Sequence, residues 1–398
     1  MGCGVRLTQN MARRMSAVVA AAVVTVSGVM ATPGAHADGS RLPLPAPKAF
    51  PGARYAANPA NPLAGGTWAV NNGFWENGHG LYTDYLRASG AARTYLGREA
   101  LQPSALWLTG TNSFRRTKVP DFLRTVNPTK DPDKLATVAV FGLWPRGEGA
   151  RHTPMTAAEQ VHYKRWIRRV SAGIGRSRVL IALEPDLAIT TNPSSVDGVR
   201  DPQVRQGLTA YAARYFHDHN RRAAVYLDAG ASDWLSPTQA AGLLERSGVR
   251  YTRGFSLDIT HYTPTPDNIV HGSQVVSALA ARGIAGKHFV IDTADSGRGY
   301  TWGEWANRFS ASTYDDSRNC ADATATLCNA LGVPPTWRVA DPAYVRALGL
   351  SATQAGSAAR DVDGYVWLTR PWMHNQATPY QRTKAIPAAQ FTPFAALY

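Results

Sequence analysis

Carboxylates recur at the ends of apolar runs in this chain, and their chemistry is the first thing to weigh. The run Arg178-Val-Leu-Ile-Ala-Leu stops at Glu184-Pro185-Asp186. Ala223–Leu227 stops at Asp228-Ala-Gly, Gly254–Thr260 contains Asp258, and His288–Ile291 stops at Asp292. The run 136–143 leads into Trp144-Pro-Arg146-Gly147-Glu148-Gly. A carboxyl group beside apolar walls holds its proton to higher pH and serves as a general acid, whereas an ionised one takes a proton from water. Any one of these acids is equally well explained as a helix cap or a salt-bridge partner. As a set, with Trp and Tyr nearby, they suit glycoside hydrolysis. There carboxyl groups protonate the leaving oxygen and activate water, while aromatic faces stack on sugar rings.

Those acids need a frame. Apolar runs at 104–109, 136–143, 178–183, 223–227, 254–260, 288–292 and 364–368 read as buried strands. Segments of helical pattern at 156–174, 201–219, 237–247 and 267–283 separate most of them. Asp201, Pro202 and Pro237 are helix-start signals. Strands alternating with helices predict a parallel sheet, closed as a barrel. In such a barrel the C-terminal strand ends converge on one rim, which is the active-site face. The stretch 293–362 is long and helix-poor, and it carries Trp302, Trp305, Tyr314, Trp337 and two cysteines. A long insertion on that face shapes a cleft.

Residues 1–37 read as a secretory signal. Arg6, Arg13 and Arg14 precede the small apolar stretch Met15–Ala31, and Ala35-His36-Ala37 is a cleavage site. Residues 38–66 form an extended Pro/Ala-rich segment, and 67–398 form the catalytic-type domain. Beyond the signal no apolar run approaches membrane length. Of three cysteines, Cys320 and Cys328 lie in the exported part and are expected to pair in an oxidising compartment. The formal net charge of +14 is diffuse, without a basic run interleaved with aromatics, so nucleic acid is not an expected partner. His217 and His219 stand two apart on a helix and do not share a face, so no metal site is expected, nor any cofactor. No G-x-S-x-G elbow appears, which disfavours a serine hydrolase. A monomer is expected.

The order and spacing of these motifs resemble glycoside hydrolase family 6, the inverting cellulases and cellobiohydrolases. Leu180-Ile-Ala-Leu-Glu-Pro-Asp186 is similar to its Glu-Pro-Asp motif. Tyr226-Leu-Asp-Ala-Gly230 followed by Trp234 is similar to its Leu-Asp-Ala-Gly-His-x-x-Trp motif. Gly254-Phe-Ser-Leu-Asp-Ile-Thr-His-Tyr262, Phe289-Val-Ile-Asp-Thr293, Cys328-Asn329 and Asp363-Gly-Tyr-Val-Trp367 follow in the family's order. The resemblance implies a distorted seven-stranded parallel β/α barrel of the TIM type, as a single domain. It implies Asp186 as general acid and a β-linked glucan or related polysaccharide as substrate.

The departures fall on the chemistry. Arg146 matches the family's Arg, but Gly147 stands where the family has an acid-supporting Asp, with Glu148 one residue on. Phe141 replaces a Tyr, Ala231 a His and Leu327 a stacking Trp. Thr369 replaces a Lys, and Asn375 replaces the Asp proposed as base. Asp258 and His261 stand on two Asn positions. The candidate catalytic set is therefore Asp186, Asp228, Glu148 and Asp258, with Glu148 or Asp258 activating water. Arg146, Trp234, His261, Trp367, Trp372 and Asn375 are the candidate substrate contacts. The alternative is a degenerate relative that binds glycans without cleaving them.

Overall fold

Seven parallel strands, hydrogen-bonded in the order in which they occur along the chain, form the frame. They are β1 (Leu106–Thr109), β2 (Ala136–Phe141), β3 (Val179–Leu183), β4 (Ala223–Asp228), β5 (Gly254–Leu257), β6 (His288–Asp292) and β7 (Val362–Val366). The structure is a computed structural model that describes residues 61–71, 80–110, 118–192, 198–377 and 379–398. All of these belong to one compact unit, Lys48–Tyr398. The signal reading of 1–37, and most of the segment 38–66, lie outside the described residues.

The strands are apolar on both faces, as a parallel sheet covered on both sides requires. Alternate residues serve two cores. Val179, Ile181 and Leu183 of β3 face outward to the helices, with Val138, Val140, Val225 and Leu227. Leu180 and Ala182 face inward, with Ala139, Ala224, Tyr226 and Val290. The outer layer is laid down by the helices Lys118–Val126, Ala157–Ile174, Pro202–His219, Pro237–Arg246 and Thr265–Ala281. Sequence fixes where several helices begin. Thr156 with Glu159, and Ser236 with Gln239, form reciprocal capping boxes that satisfy orphan N–H groups.

The sheet curls, and its two edges meet without a continuous ladder. Ala105 N donates to Trp367 O at 2.9 Å, and Trp107 Nε1 to Leu368 O at 2.7 Å, across that seam. The N-terminal end is sealed by a buried polar knot. Asp363 accepts from Tyr226 Oη at 2.8 Å and from Arg253 Nε and a terminal guanidinium nitrogen at 2.7 and 2.9 Å. Asn61 Nδ2 adds a bond to Asp363 O at 2.7 Å. The strand-end acids lie at the opposite end.

The insertion 293–362 is more helical than its composition suggests. Its last third contains the helices Pro342–Ala347 and Ala352–Asp361, capped by Asp341 and Ser351. Its middle is held by a small aromatic core of Tyr262, Tyr300, Trp305 and Tyr314, and by the Cys320–Cys328 disulfide.

Candidate active site

The acids at the strand ends arrive by two routes. Asp228 and Asp292 continue the inward parity of Tyr226 and Val290, so strand geometry alone turns them toward the lumen. At the ends of β3 and β5 the alternation is broken. Glu184 and Asp186 adopt φ of 56° and 64°, and Asp258 and Thr260 adopt 70° and 62°. Such left-handed backbone is uncommon outside glycine and clusters at functional sites. At Glu184 it carries the side chain out of the inward series to the outer layer. There it accepts from Tyr163 Oη at 2.7 Å and from Gly142 N and Leu143 N at 2.8 and 3.0 Å. Glu184 therefore locks the ends of β2 and β3, and Asp186 is aimed by a turn whose other arm is fixed.

Asp186 is half-buried. Burial pushes its carboxyl well above the ordinary range, and the neighbouring charges of Glu148, Asp228 and Asp315 push it further, against a side-chain hydrogen bond from Thr260. Glu148 is raised by burial and by Asp315, and lowered by Arg151. Burial also raises Asp315, with Asp316 adding to the rise, while His261 draws it down. Glu148 and Asp315 keep solvent-exposed surface yet are enclosed by protein at longer range. Exposed carboxyls that are nonetheless desolvated fit the rim of a cleft. Asp228 is pushed by burial to about 7, although N–H groups of Gly230, Ala188, Leu187 and Ala229 oppose the rise. None of these donors reaches full hydrogen-bonding geometry on either carboxylate oxygen.

One wall of the cleft is aromatic. Trp234 stacks on His261 at 5.0 Å, and His261 meets Tyr314 edge-on at 5.6 Å. Trp234 Nε1 donates to Asn192 Oδ1 at 3.3 Å, which fixes the indole plane.

Other expected residues stand elsewhere. Asp258 is fully buried, and its Oδ1 accepts from Thr263 N at 3.0 Å and Thr263 Oγ1 at 2.5 Å. It braces the loop after β5 through Oδ1, and it lies buried rather than on the exposed rim where a strand-end acid was expected. Arg146 is turned away, paired with Glu159 at 2.8 Å and bonded to Pro154 O at 2.9 Å. Trp367 and Trp372 are each 1% exposed and pack in a core with Leu81, Leu96 and Ala385, so neither offers a face to a sugar. Asn375 is exposed at the rim, where its N–H donates to Asp316 Oδ1 at 3.1 Å. Among the described residues no group of His, Cys, Asp and Glu side chains is arranged to hold a metal ion.

The chain is similar to known proteins over most of its described length. The sequence model for "Glycosyl hydrolases family 6" matches residues 82–368. The chain belongs to glycosyl hydrolase family 6. Endoglucanase 1 of Streptomyces halstedii is 29% identical over 265 residues, covering 65% of this chain and 79% of that protein. Endoglucanase A of Cellulomonas fimi is 32% identical over 229 residues, 57% of this chain and 46% of that protein. Among solved structures, the endoglucanase Cel6 of Mycobacterium tuberculosis, in complex with a thio-linked cello-oligosaccharide, superposes with a TM-score of 0.60 at 25% identity. That match covers 85% of this chain and all of the other. Cellobiohydrolase II of Humicola insolens, in complex with glucose and cellotetraose, has the same fold, with a TM-score of 0.57 at 20% identity, covering 79% and 87%.

Within this family 6 chain, sequence reading missed Asp315 and Thr260, and named Tyr314 only as one aromatic residue of the insertion. Asp315 lies in the insertion, outside every strand-end motif. Its only signal was an acidic pair, Asp315-Asp316, beside an aromatic residue. Thr260 was hidden because nothing in a sequence announces left-handed backbone at a β-branched residue.

Proposed function

We propose that this family 6 protein is a secreted hydrolase of a β-linked glucan or a related polysaccharide, acting by inversion with Asp186 as the general acid. The observation that carries the reading is the environment of Asp186. It is a half-buried carboxyl on a constrained turn, whose proton is retained by burial and by the charges of Glu148, Asp228 and Asp315. A general acid must be protonated when substrate arrives, and like charges around a desolvated carboxyl keep it so. Glu148 and Asp228 are supporting acids, and Trp234 with His261 offers the stacking wall. Export to an oxidising compartment agrees with the Cys320–Cys328 bond and with the signal-like residues 1–37. The names of the relatives, endoglucanases and a cellobiohydrolase, support the substrate class.

The test is Asp186→Asn assayed on soluble mixed-linkage β-glucan and carboxymethyl cellulose. A loss of about 10²–10⁴-fold in kcat is expected, with the circular-dichroism spectrum unchanged. NMR of the first product should show the α-anomer. Unchanged turnover in the variant, or a β-anomeric first product, contradicts the reading. Gly147 and Asn375, standing where the family has two acids, favour a second reading in which glycan is held without cleavage. In that case wild-type protein binds β-glucan in affinity electrophoresis and releases no reducing ends.

A further inference from the structure

If Asp186 is the acid, inversion also needs a carboxylate that takes a proton from the attacking water, and Asn375, an amide, cannot supply it. We propose that Asp315, delivered by the insertion after β6, is that base. The inference rests on the preceding functional reading.

Three observations lead to it. First, the backbone at Asp315 is fixed on both sides while its carboxylate is left free. Tyr314 on one side is 4% exposed and packs edge-on against Tyr262 at 5.1 Å and Tyr300 at 6.1 Å. On the other side Asp316 is tied to Lys384 Nζ at 2.8 Å, His374 Nδ1 at 3.1 Å and Asn375 N at 3.1 Å. Next comes buried Ser317, bonded to Tyr300 Oη at 2.5 Å. Asp315 itself is exposed. A base needs this combination of a held main chain and a reachable oxygen.

Second, Asp315 stands on the correct side. Tyr262 Oη reaches Asp315 O at 3.5 Å, and Tyr314 meets His261, so the segment sits over the loop that leaves β5. Asp186 leaves β3 and Glu148 leaves β2. Glu148 and Asp315 thus come from elements on either side of β3 in the strand order, and the charge of each acts on Asp186. Water attacks from the face opposite the leaving group, so acid and base must come from different sides, about 6.5–9.5 Å apart.

Third, the other acids are bonded, buried or less firmly held. Asp258 is locked by Thr263. Asp292 accepts from Ala294 N, Leu368 N, and both the N–H and the hydroxyl of Thr369. Asp228 is 1% exposed. Glu148 is exposed, but it stands between Gly147, at a φ of 81°, and Gly149, so its backbone is less firmly held than that of Asp315.

The step balances as follows. The Asp315 carboxylate takes a proton from water as the water oxygen bonds to the anomeric carbon. The bond from that carbon to the leaving oxygen breaks, and the electron pair on that oxygen takes the proton of Asp186. Asp315 ends protonated and Asp186 ionised, and proton exchange with solvent resets both.

Azide provides the test, since it is an anionic nucleophile that needs no base. Asp315→Ala and the near-isosteric Asp315→Asn are assayed on soluble β-glucan with and without sodium azide, with melting curves alongside. The expected result is a loss of about 10²–10⁴-fold in both, with Asp315→Ala rescued by azide and an α-glycosyl azide formed. Activity within a few-fold of wild type in either variant overturns the proposal. So does a loss that azide leaves unrescued, or azide rescue of Glu148→Ala instead. A wild type that cleaves no β-glucan overturns the functional reading beneath it, and is distinguished by needing no variant at all.

Discussion

At the scale of single residues the cleft is governed by like charges. Asp186 keeps its proton first because it is desolvated, and then because Glu148, Asp228 and Asp315 would sit beside its anion. Removing one of those charges must therefore make Asp186 easier to ionise. Glu148→Gln should shift the basic limb of the kcat/KM profile to lower pH while leaving activity at pH 4–5 nearly intact. A limb that stays in place, or moves to higher pH, would mean that Glu148 does not face the acid. Asp186 itself was legible in sequence because an apolar run ending in Glu-Pro-Asp is both a strand end and a family motif. Asp258 is buried rather than on the rim for a physical reason. A carboxylate at a strand end predicts a place on the rim, but the direction of its side chain depends on φ. At φ of 70° it turns under the loop to Thr263 rather than into the cleft.

At the scale of elements, the strands were almost wholly legible. Seven apolar runs of strand length gave seven strands, with ends displaced by only a few residues, because a doubly covered parallel strand has nowhere to hide a polar residue. The helices after β2, β3, β4 and β5 were legible as segments of helical pattern, with Asp201, Pro202 and Pro237 marking where two of them begin. The insertion was not legible, since its order comes from ring packing between residues far apart in sequence, such as Tyr262 on Tyr300 at 5.1 Å. The knot at the closed end was missed as well. Asp363 sits on β7 among apolar residues, and its partners Tyr226, Arg253 and Asn61 come from three other segments. Breaking a buried pair by removing one partner leaves the other uncompensated, at a cost of about 3–5 kcal/mol. Asp363→Ala should accordingly lower the midpoint of urea unfolding, with an unchanged m-value. A midpoint equal to that of wild type would show that the knot contributes nothing to the barrel. Gly254 serves the same end of the sheet in another way, because a Cβ there would lie 1.6 Å from His288 O and force β5 and β6 apart.

At the scale of the molecule, an active-site face built from buried acids leaves its mark on stability. Burial raises Glu184 and Asp228 to about 7 and Asp292 to about 6, from ordinary values of 4.5 and 3.8. The folded protein thus binds more protons than the unfolded chain between those limits, and stability falls as pH rises through them. The contribution is complete below about pH 4 and lost by about pH 7. Tm measured from pH 4.5 to 7.5 should decline, and Asp228→Asn should flatten the decline. A Tm that climbs steadily over that range would show that these acids are not held as described. The cohesion of the molecule is also divided. The sheet and its helices share the two large cores. The segment bearing Asp315 belongs instead to a four-residue aromatic cluster, and a separate small one surrounds the disulfide. Parts with separate cores open separately. With Asp315 as the proposed base, the temperature at which hydrolysis fails should lie below the temperature at which the barrel melts, and a core substitution that hardens the barrel should raise the second without raising the first.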